Sequence, residues 1–580
     1  MLKFILTNID EIKNVRRQKL QNFLNAKKNP YPNKPSSART LAKVAKENFD
    51  ELSTKKIKIL LAGRITSIRE HGNSAFVDLQ DTSDKIQIFM SKKDLPEGEF
   101  KFFLKNFDTG DFAEFSGFLF KTQMGEKTLH ATSFGILTKS LEPMPDKWHG
   151  IQDLDLRYRK RYLDIFMNPN LKEMFEKKAK FWDVIRNFMK SHGFFEVETP
   201  TLETTTGGAE ANPFITHHNN FDLDVYLRIS VGELWQKRLM SAGFEKTFEI
   251  GRVYRNEGSS PNHLQEFTNM EFYWAYANYR DGMELTKSLI IEIAKQVFGT
   301  TKFKSGEYEF DLSDEWKELD YVSTTEKMTG VNVLTATEDE MKKRLQELGI
   351  KFEGETKERM IDSLWKFCRK QISGPAFLIN HPKIVSPLAK ANPQNPELTE
   401  RFQIILAGTE ACNGYSELND PVDQRARFEE QQKLIEKGDV EAMMPDWEFC
   451  EMLEYGMPPT CGLGIGERLF AMMVNKPIRE TTLFPLMKPE RKEEKVSDEK
   501  IIKAVENFKK ENPESKVWKF ISNLKPQDIP QFLKEWIVEL QVETDFYKKY
   551  QGVIFHTNTI IDSRLEDIEV CKKLLKMIFK

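Results

Sequence analysis

Five short segments early in the chain constrain its fold more than any other feature. Between Ile59 and about Leu141, apolar and polar residues alternate in short runs that are separated by turns containing Gly and Asp. The runs are KILLAGRITSI, AFVDLQD, KIQIFMS, DFAEFSGFLFKT and KTLHATSFGIL. Because successive side chains of a strand point to opposite faces, the alternation predicts five half-buried β-strands. Regular spacing of five strands favours a small β-barrel.

We expect further domains on both sides of this barrel, because 580 residues are too many for one compact core. The oligonucleotide-binding (OB) fold is the five-stranded candidate for residues 59–145. We predict four further regions. They are an N-terminal helical extension on the surface (1–58), a linker (146–165), a main domain (166–488) and a helical C-terminal extension (489–580).

The linker carries a basic run, RYRKRYLD, whose four cations are Arg157, Arg159, Lys160 and Arg161. A solvated basic turn is one interpretation, and a contact to phosphate is the other. The main domain opens with a predicted long helix that has Phe175, Trp182, Ile185 and Met189 on one face and stops at Gly193.

Residues 200–488 mix strands and helices without regular βαβ alternation, which predicts an α+β domain built on an antiparallel sheet. No apolar run approaches the roughly 20 residues of a membrane span, and no secretory signal is recognised, so a cytoplasmic protein without a membrane segment is expected. Five scattered cysteines argue against a disulfide framework and a zinc knuckle. A net charge of −3 offers no support for nonspecific nucleic-acid binding.

The stretch FEIGRVYRNEGSSPNHLQEFTNMEFYWAY is predicted to form two strands joined by a polar loop. Arg255 and Glu257 follow the first strand. Alternation along the second places Phe267, Glu271 and Tyr273, together with Asn269, on one face. A binding face and an ordinary solvent-facing strand both fit this pattern.

Two later stretches also carry chemistry. In RFQIILAGTEACNGYSELNDPVDQRARF an apolar strand leads to Glu410, Asn413, Tyr415 and Glu417, and buried carboxylates there must be paired or metal-bound. CGLGIGERLF carries three alternating glycines before Arg468, which allows close backbone approach but is a weak signal by itself.

Taken in order, these stretches resemble the signature motifs of class II aminoacyl-tRNA synthetases. The helix and strand closing at Pro200 resemble motif 1, Arg255 with Glu257 and Phe267 resembles motif 2, and the glycines with Arg468 resemble motif 3. The segments TTGGAEANPFITHHN, DLDVYLRI, SPLAKANPQNPELTERF and GYSELNDPVDQRARF are similar to the lysyl members of the family. The likeness spans roughly residues 15–488.

The resemblance implies a ligase that activates L-lysine with ATP, releases pyrophosphate and transfers lysine to the 3′ end of tRNA(Lys). It implies that Glu271, Glu417 and Tyr273 receive the side-chain ammonium, and a lysine pocket does require such acceptors. It further implies that Glu233 and the Gly208 carbonyl hold the α-ammonium and that Arg255 and Asn413 hold the carboxylate. Tyr415 would pack along the methylenes.

For ATP, the resemblance implies Phe267 under the adenine, Glu257 and His263 near base and phosphates, Arg255 on the α-phosphate, and Arg468 on the far side. Mg²⁺ would bind Glu410. The family usually has a second glutamate seven positions earlier, where this chain has Gln403. Glu467 stands where the family commonly has aspartate.

In the barrel, Phe76, Gln87 and Glu126 match positions with which the family reads a U-rich anticodon by stacking and hydrogen bonding. Considered without the resemblance, Phe76 is more typical of a core residue. A homodimer with the motif 1 helix at its interface is also implied. His217 and His218 are adjacent on a predicted strand and point to opposite faces, which favours a structural role over zinc binding.

Three alternatives remain at this point. One is a ligase that makes lysyl-adenylate but modifies a protein, and another is a catalytically impaired regulator that binds RNA through its barrel. The third is an aspartyl- or asparaginyl-specific synthetase. Residues 491–580 exceed the family's usual end, and their role is not indicated by any motif.

Overall fold

The structure is a computed structural model that describes most of the chain. The described residues are 2–145, 153–209, 211–258, 260, 263–350, 352, 356–436, 442–489, 498–511, 521, 524–530, 532–533, 536–537 and 557–579. They fall into two units, Met1–Leu486 and Met487–Lys580. No described helix combines the length and the apolar character that crossing a membrane requires.

The N-terminal region forms three helices that pack on the barrel. They are α1 (Leu2–Asn25), α2 (Ala42–Glu47) and α3 (Phe49–Thr54). Phe23 and Phe49 are buried in the same apolar core as the barrel strands. The Arg16 guanidinium donates hydrogen bonds to the backbone carbonyls of Thr109 and Ser140. The expectation of a surface extension was wrong, because α1 carries buried aromatic and basic anchors as well as its charged face.

The predicted five-stranded OB-type barrel is confirmed. Its strands are β1 (Ile59–His71), β2 (Ser74–Gln80), β3 (Lys85–Ser91), β4 (Phe112–Lys121) and β5 (Lys127–Thr138), with α4 (Glu99–Asn106) between β3 and β4. The sheet closes in the order β1-β2-β3-β5-β4, and only β3 and β5 pair in parallel. Alternate residues such as Val77, Ile88 and Phe115 fill the interior.

Two short helices, α5 (Leu154–Arg159) and α6 (Arg161–Met167), follow residues 146–152, which lie outside the described part. Neither interpretation of the basic run holds for Arg161, which is fully buried. Its guanidinium pairs with Asp164 at 3.0 Å and donates to the carbonyls of Glu480 and Thr482. Arg157 also pairs with Asp164, so these charges attach the joint to the main domain.

The main domain is built on a nine-stranded sheet in the order β14-β15-β17-β18-β19-β11-β10-β6, with β16 beside β17. Its pairs are antiparallel except β6 with β10 and β14 with β15 at the two edges. The predicted antiparallel sheet is therefore confirmed, with parallel strands only at its margins. Its strands are β6 (Phe195–Glu196), β10 (Lys246–Tyr254), β11 (Glu266–Ala275), β14 (Lys317–Asp320), β15 (Ala376–Pro382), β16 (Ala391–Asn392), β17 (Asn395–Leu406), β18 (Thr409–Ser416) and β19 (Thr460–Gly466).

Helices cover this sheet, and two small sheets accompany it. The small sheets contain β7 (Leu202–Glu203), β8 (Ile215–His218) and β9 (Leu223–Leu227), and β12 (Lys302–Ser305) with β13 (Tyr308–Asp311). The helices are α7 (Pro169–Ser191), α8 (Glu233–Ser241), α9 (Tyr279–Ile293), α10 (Tyr321–Thr329), α11 (Glu338–Glu347), α12 (Lys357–Arg369), α13 (Pro421–Glu436), α14 (Trp447–Tyr455) and α15 (Arg468–Met473). On α7, Ile185 and Met189 are buried against the sheet as the spacing predicted, and the chain turns at Gly193 with φ 81°.

The second unit has a small apolar core of its own. Its described helices include α16 (Asp498–Glu511) and α17 (Thr557–Phe579). Phe508, Cys571 and Leu574 are buried together, and Phe532 and Trp536 pack at the edge of this cluster. All five cysteines of the chain are buried free thiols.

Candidate active site

One cavity of about 380 Å³ lies over the central strands β11, β17, β18 and β19. Every residue that the sequence predicted for lysine, ATP or metal contributes to its lining. These residues are Gly208, Glu233, Arg255, Glu257, His263, Phe267, Glu271, Tyr273, Gln403, Glu410, Asn413, Tyr415, Glu417 and Arg468. The three anticodon candidates lie apart from it, on the barrel.

The alternation along β11 explains how one strand supplies a row of groups to this cavity. Phe267, Asn269, Glu271 and Tyr273 share the face that borders the cavity. On the neighbouring strand β19, Gly464 lies opposite Glu271 and Gly462 lies opposite Tyr273. The polar row of β11 is therefore faced by residues without side chains, which lets the Glu417 carboxylate and the Tyr273 ring approach the backbone of β19 at Gly462.

Glu271 lies at the closed end of the cavity and is held by three donors. The Val231 amide donates at 2.8 Å, the Asn269 side-chain amide at 3.0 Å and the Tyr273 hydroxyl at 3.1 Å. Burial, followed by the charge of Glu233, raises the pKa of the Glu271 carboxyl to about 7. An incoming cation would favour its ionised form.

Glu417 lies in the same closed end with only 1% of its surface exposed. Its Oε2 is 2.5 Å from Lys237 Nζ, but neither carboxylate oxygen receives a well-aligned hydrogen bond from the described part of the chain. Burial raises the pKa of Glu417 well above its usual range, although Lys237 opposes the shift. A buried carboxylate without aligned donors is costly, so this group is prepared for a ligand that donates.

Lys237 is the residue of this site that sequence reasoning missed. Its ammonium is buried between Glu233, at 2.7 Å, and Glu417. Burial lowers the pKa of Lys237, but the two carboxylates outweigh that effect and raise it above its ordinary value. The available signal was the i,i+4 spacing of Glu233 and Lys237 in ELWQKRL, which places the two side chains on one face of α8.

The Glu233 oxygen that accepts from Lys237 also accepts from an aromatic hydroxyl. Tyr415 donates to Glu233 Oε1 at 2.5 Å, and its ring lies 5.5 Å from Lys237 Nζ. Tyr415 therefore orients Glu233 and covers the ammonium as well as forming a wall of the cavity.

At the closed end of the cavity, two positions require glycine because neighbouring side chains approach the backbone closely. A Cβ on Gly462 would lie 2.1 Å from Glu417 Oε1 and 2.6 Å from a ring carbon of Tyr273. Gly208 has φ 90°, and a Cβ there would lie 2.4 Å from Ser230 Oγ. The glycine run before Arg468 is thus more than a packing device, since a side chain at position 462 would occupy the space between the acidic and phenolic groups.

The other end of the cavity is open and cationic. Arg255 follows β10, donates to the Ile229 carbonyl at 3.3 Å and lies over the Phe267 ring at 5.3 Å. Arg468 begins α15 and is exposed. Glu257 and His263 border the same end, while residues 259, 261 and 262 of the connecting loop lie outside the described part.

Gln403 and Glu410 lie on the neighbouring strands β17 and β18 and border the cavity together. Glu410 is partly exposed, and its ion pair with Arg369 is long, at 3.9 Å. The Gln403 Oε1 atom is buried and receives no hydrogen bond from the described residues. No cluster of three or more His, Cys, Asp or Glu side chains suited to a metal occurs among those residues. The donor set therefore fits a metal ion that brings phosphate oxygens with it, but not an all-protein metal cage.

Asn413 and Glu467 have structural partners that the sequence did not indicate. The Asn413 Oδ1 atom accepts a hydrogen bond from Arg401 Nε at 2.8 Å, and Arg401 itself borders the cavity. Glu467 is buried, pairs with Lys178 of α7 and accepts from the Thr268 amide. The longer acidic side chain at 467 thus connects α7, β11 and the start of α15.

On the barrel, Phe76 and Gln87 share the outer face of β2 and β3. Phe76 is half-exposed and packs 5.1 Å from Phe89, whereas its neighbours Ala75 and Val77 are buried. The alternative that placed Phe76 in the core is therefore wrong. Gln87 accepts a hydrogen bond from Thr128 Oγ1 at 2.9 Å, and Glu126 is exposed in the β4–β5 turn.

His217 and His218 have the local partners expected of structural residues. His217 Nδ1 lies 2.9 Å from an Asp224 oxygen, and the His218 ring stacks on Phe221 at 4.3 Å. No metal cluster involves either of them within the described ranges.

Comparison with known proteins agrees with this geometry over most of the chain. The family described as "tRNA synthetases class II (D, K and N)" matches residues 153–488, and the "OB-fold nucleic acid binding domain" matches residues 59–137. A Thermotoga maritima protein named lysine--tRNA ligase is 42% identical over 496 residues, which cover 84% of this chain and 98% of the relative. The Bacillus subtilis protein of the same name is 44% identical over 447 residues, covering 76% of this chain and 89% of the relative.

Proposed function

The chain belongs to the class II tRNA synthetases of the D, K and N group, and from this membership we propose how its cavity and barrel perform lysine ligation to tRNA. The activity is the ATP-dependent joining of L-lysine to tRNA, as in the relatives that match nearly their whole length. We assign amino-acid activation to residues 166–488 and anticodon reading to residues 59–145.

The observation that carries the choice of lysine is the excess of buried carboxyl groups over buried ammonium groups at the closed end of the cavity. Glu233, Glu271 and Glu417 are all buried there, and Lys237 is the buried cation that pairs with two of them. An aspartate side chain would need an unpaired cation at this point. An ammonium is instead the group that relieves the charge, because its three N–H donors match the acceptors on offer.

Within this site the substrate would bind in an extended pose. Its side-chain ammonium donates to Glu271, Glu417 and Tyr273, and its α-ammonium to Glu233 and the Gly208 carbonyl. The methylenes lie along Tyr415. The carboxylate points to Arg255 and Asn413, at the border between the anionic and the cationic ends.

ATP would occupy the open end, with the adenine on Phe267 and the phosphates near Arg255, Glu257, His263 and Arg468. A lysine carboxylate oxygen forms a bond to the α-phosphorus while the bond to pyrophosphate breaks. No protein nucleophile is required, because the carboxylate is ionised at neutral pH. Arg255 and Arg468 stabilise the charge that develops on the phosphate oxygens.

Magnesium fits this arrangement as an ion carried by ATP. Glu410 would hold it, with the neutral oxygen of Gln403 as a weaker donor, and it would supply charge neutralisation on the phosphates. One carboxylate in place of two predicts fewer or more weakly bound ions. Isothermal titration of Mg²⁺ into the ATP complex of the wild type and of Gln403→Glu would show tighter binding in the variant. Equal affinity would contradict this assignment.

In the second step, a hydroxyl of the terminal ribose of tRNA attacks the lysyl carbonyl carbon, and AMP leaves. Phe76 would stack on an anticodon base, while Gln87 and Glu126 would read base edges. Support comes from the half-exposed position of Phe76 on an aromatic outer face and from the barrel's match to nucleic-acid-binding domains.

Amino-acid-dependent exchange of pyrophosphate into ATP tests the substrate assignment. Lysine is expected to stimulate the exchange, and aspartate and asparagine are not. Glu417→Gln removes one anion from the closed end and should raise the KM for lysine by roughly tenfold while the KM for ATP stays unchanged. Stimulation by aspartate, or no stimulation by any amino acid, would overturn the assignment.

We also propose a cytoplasmic homodimer with α7 at the interface. Exposed apolar side chains on the short strands that follow α7, such as Phe195, Ile215 and nearby Phe221, support a covered surface there. Light scattering of the purified full chain should give twice the monomer mass. A monomer at micromolar concentration would contradict the dimer.

A further inference from the structure

The closed end of the cavity contains a simple charge balance. Three carboxylates lie there, from Glu233, Glu271 and Glu417, together with one ammonium, that of Lys237. When all three carboxyl groups are ionised, three negative charges and one positive charge leave two negative charges in excess. The pKa values of Glu271 and Glu417 are raised in the free protein, so this full charge is reached as the ammonium groups of lysine enter. Lysine enters with two ammonium groups, one at each end of its methylene chain, so the excess matches the cations of the substrate.

The position of Lys237 is closely confined. Its Nζ lies 2.7 Å from Glu233 and 2.5 Å from Glu417, and the rings of Tyr273, Tyr415 and Phe449 surround it at 5.5–5.9 Å. The two carboxylates that it joins come from different elements, since Glu233 begins α8 and Glu417 follows β18. The ammonium therefore fixes the positions of two groups proposed to contact the two ends of the substrate.

We propose that Lys237 is a positioning residue for substrate selection, which neutralises one of the three pocket carboxylates and holds Glu233 and Glu417 at the spacing that lysine requires. The inference rests on the proposed function, because it concerns the same amine pocket. Lys237 does not itself contact the reacting atoms.

Removing this ammonium leaves three carboxylates in one buried space. Repulsion between them raises the already elevated pKa values of Glu271 and Glu417 further, so a carboxyl proton is retained more strongly at neutral pH than in the wild type. In one outcome, the retained proton occupies the position of a substrate ammonium group. In the other, an ammonium group of the substrate lysine binds at the former position of Lys237, and this displaces the substrate carboxylate from Arg255. Both consequences weaken productive lysine binding and leave the ATP end unchanged.

A double variant distinguishes this role from a purely structural one. Lys237→Met leaves an excess of three negative charges and Glu417→Gln leaves one, whereas the double variant restores two. We expect each single change to raise the KM for lysine by about tenfold or more, and the double variant to have a lower KM than either single variant. The KM for ATP should stay within about twofold of the wild type in all three, since a tenfold change corresponds to 1.4 kcal/mol.

The pH profile of kcat/KM for lysine gives a second readout. Its acid limb should move to higher pH in Lys237→Met and return towards the wild-type position in the double variant. If the KM effects simply add, or if Lys237→Met lowers the unfolding temperature without moving the lysine KM or the acid limb, the inference is wrong. If Lys237→Met does not fold, the double variant compared with Glu417→Gln alone still decides the matter, because only the charge balance predicts the lower KM for the double variant.

Lys139 provides a matched control in the barrel. Its ammonium is also buried between two carboxylates, those of Asp108 and Asp111. Lys139→Met should lower the unfolding temperature but leave the lysine KM unchanged, and a raised lysine KM in this control would overturn the inference. Failure of the proposed function is distinguishable, since the wild type itself would then show no lysine-dependent exchange.

Discussion

The barrel and the cavity each bury a lysine between two carboxylates, and they do so with opposite results. In the barrel, Lys139 Nζ donates to Asp108 at 2.6 Å and to both oxygens of Asp111 at 2.9 and 3.0 Å. Asp111 also accepts from the backbone amides of Asp108 and Ser140. In the cavity, the oxygens of Glu417 have Lys237 beside them but no aligned donor from the described residues.

The difference separates a charge cluster that stabilises a fold from one that is completed by a ligand. Every strong acceptor of the barrel cluster is used, so its removal should cost stability alone. Burial raises the pKa of Asp111 in the barrel cluster as well as those of Glu271 and Glu417 in the cavity, so the two clusters differ in their hydrogen bonding and not in the direction of this shift. Burial of charge by itself therefore does not identify a site, whereas unmet hydrogen-bonding capacity beside a cavity does.

The comparison predicts its largest effect where the cavity meets the phosphates. Arg255→Ala removes a cation proposed to contact the α-phosphate and the lysine carboxylate. Loss of such a preorganised donor costs about 4 kcal/mol, so lysine-dependent pyrophosphate exchange should fall roughly 10³-fold with little change in unfolding temperature. Retained exchange would show that the cationic end of the cavity is not the site of activation.

The barrel cluster is tested by Asp111→Asn. Breaking a buried ion pair costs about 3 kcal/mol, and the free energy of unfolding of the barrel should fall by that amount in a denaturant titration. Exchange should be unaffected, because no residue of the cavity is touched. If this variant instead raised the KM for lysine, the separation between the two clusters would be incorrect.

The sequence predicted the two architectures well, because strand alternation is a local property of the chain. The five barrel strands and the cavity-facing row of β11 follow from a period of two, and the resemblance to a known family supplied the positions of Glu233 and Glu417. Lys237 was missed because its pair with Glu233 is an ordinary i,i+4 spacing on α8, while its second partner, Glu417 at the end of β18, is far away in sequence. The anchoring of Arg161 at residues 480–482 and of Phe23 in the barrel core was missed for the same reason, since long-range packing leaves no periodic signal.

Glu271 tests the comparison within one residue, because its buried carboxyl group should lower the stability of the fold and at the same time contribute to lysine binding. Its folded pKa of about 7 lies above its ordinary value of 4.5, so the folded state loses stability as pH rises through this interval and the full penalty is present above about pH 7. Glu271→Gln should therefore raise the unfolding temperature, and by more at about pH 8 than at about pH 5.5. The KM for lysine should rise roughly 30-fold, which corresponds to about 2 kcal/mol for a hydrogen bond to a charged group. A variant that is less stable at about pH 8 would contradict the raised pKa.

The smallest expected effect lies on the outer face of the barrel. Phe76→Ala removes a stacking surface worth about 1–3 kcal/mol per base, so kcat/KM for tRNA should fall roughly tenfold while lysine-dependent exchange stays unchanged. Phe134→Ala is the matched control, because Phe134 packs on Phe103 inside the barrel assembly, 5.2 Å away, and its loss should lower stability without selective loss of tRNA charging. If Phe76→Ala abolished lysine-dependent exchange as well, the barrel would take part in amino-acid activation. The assignment of tRNA recognition to the barrel and of activation to the cavity would then be wrong.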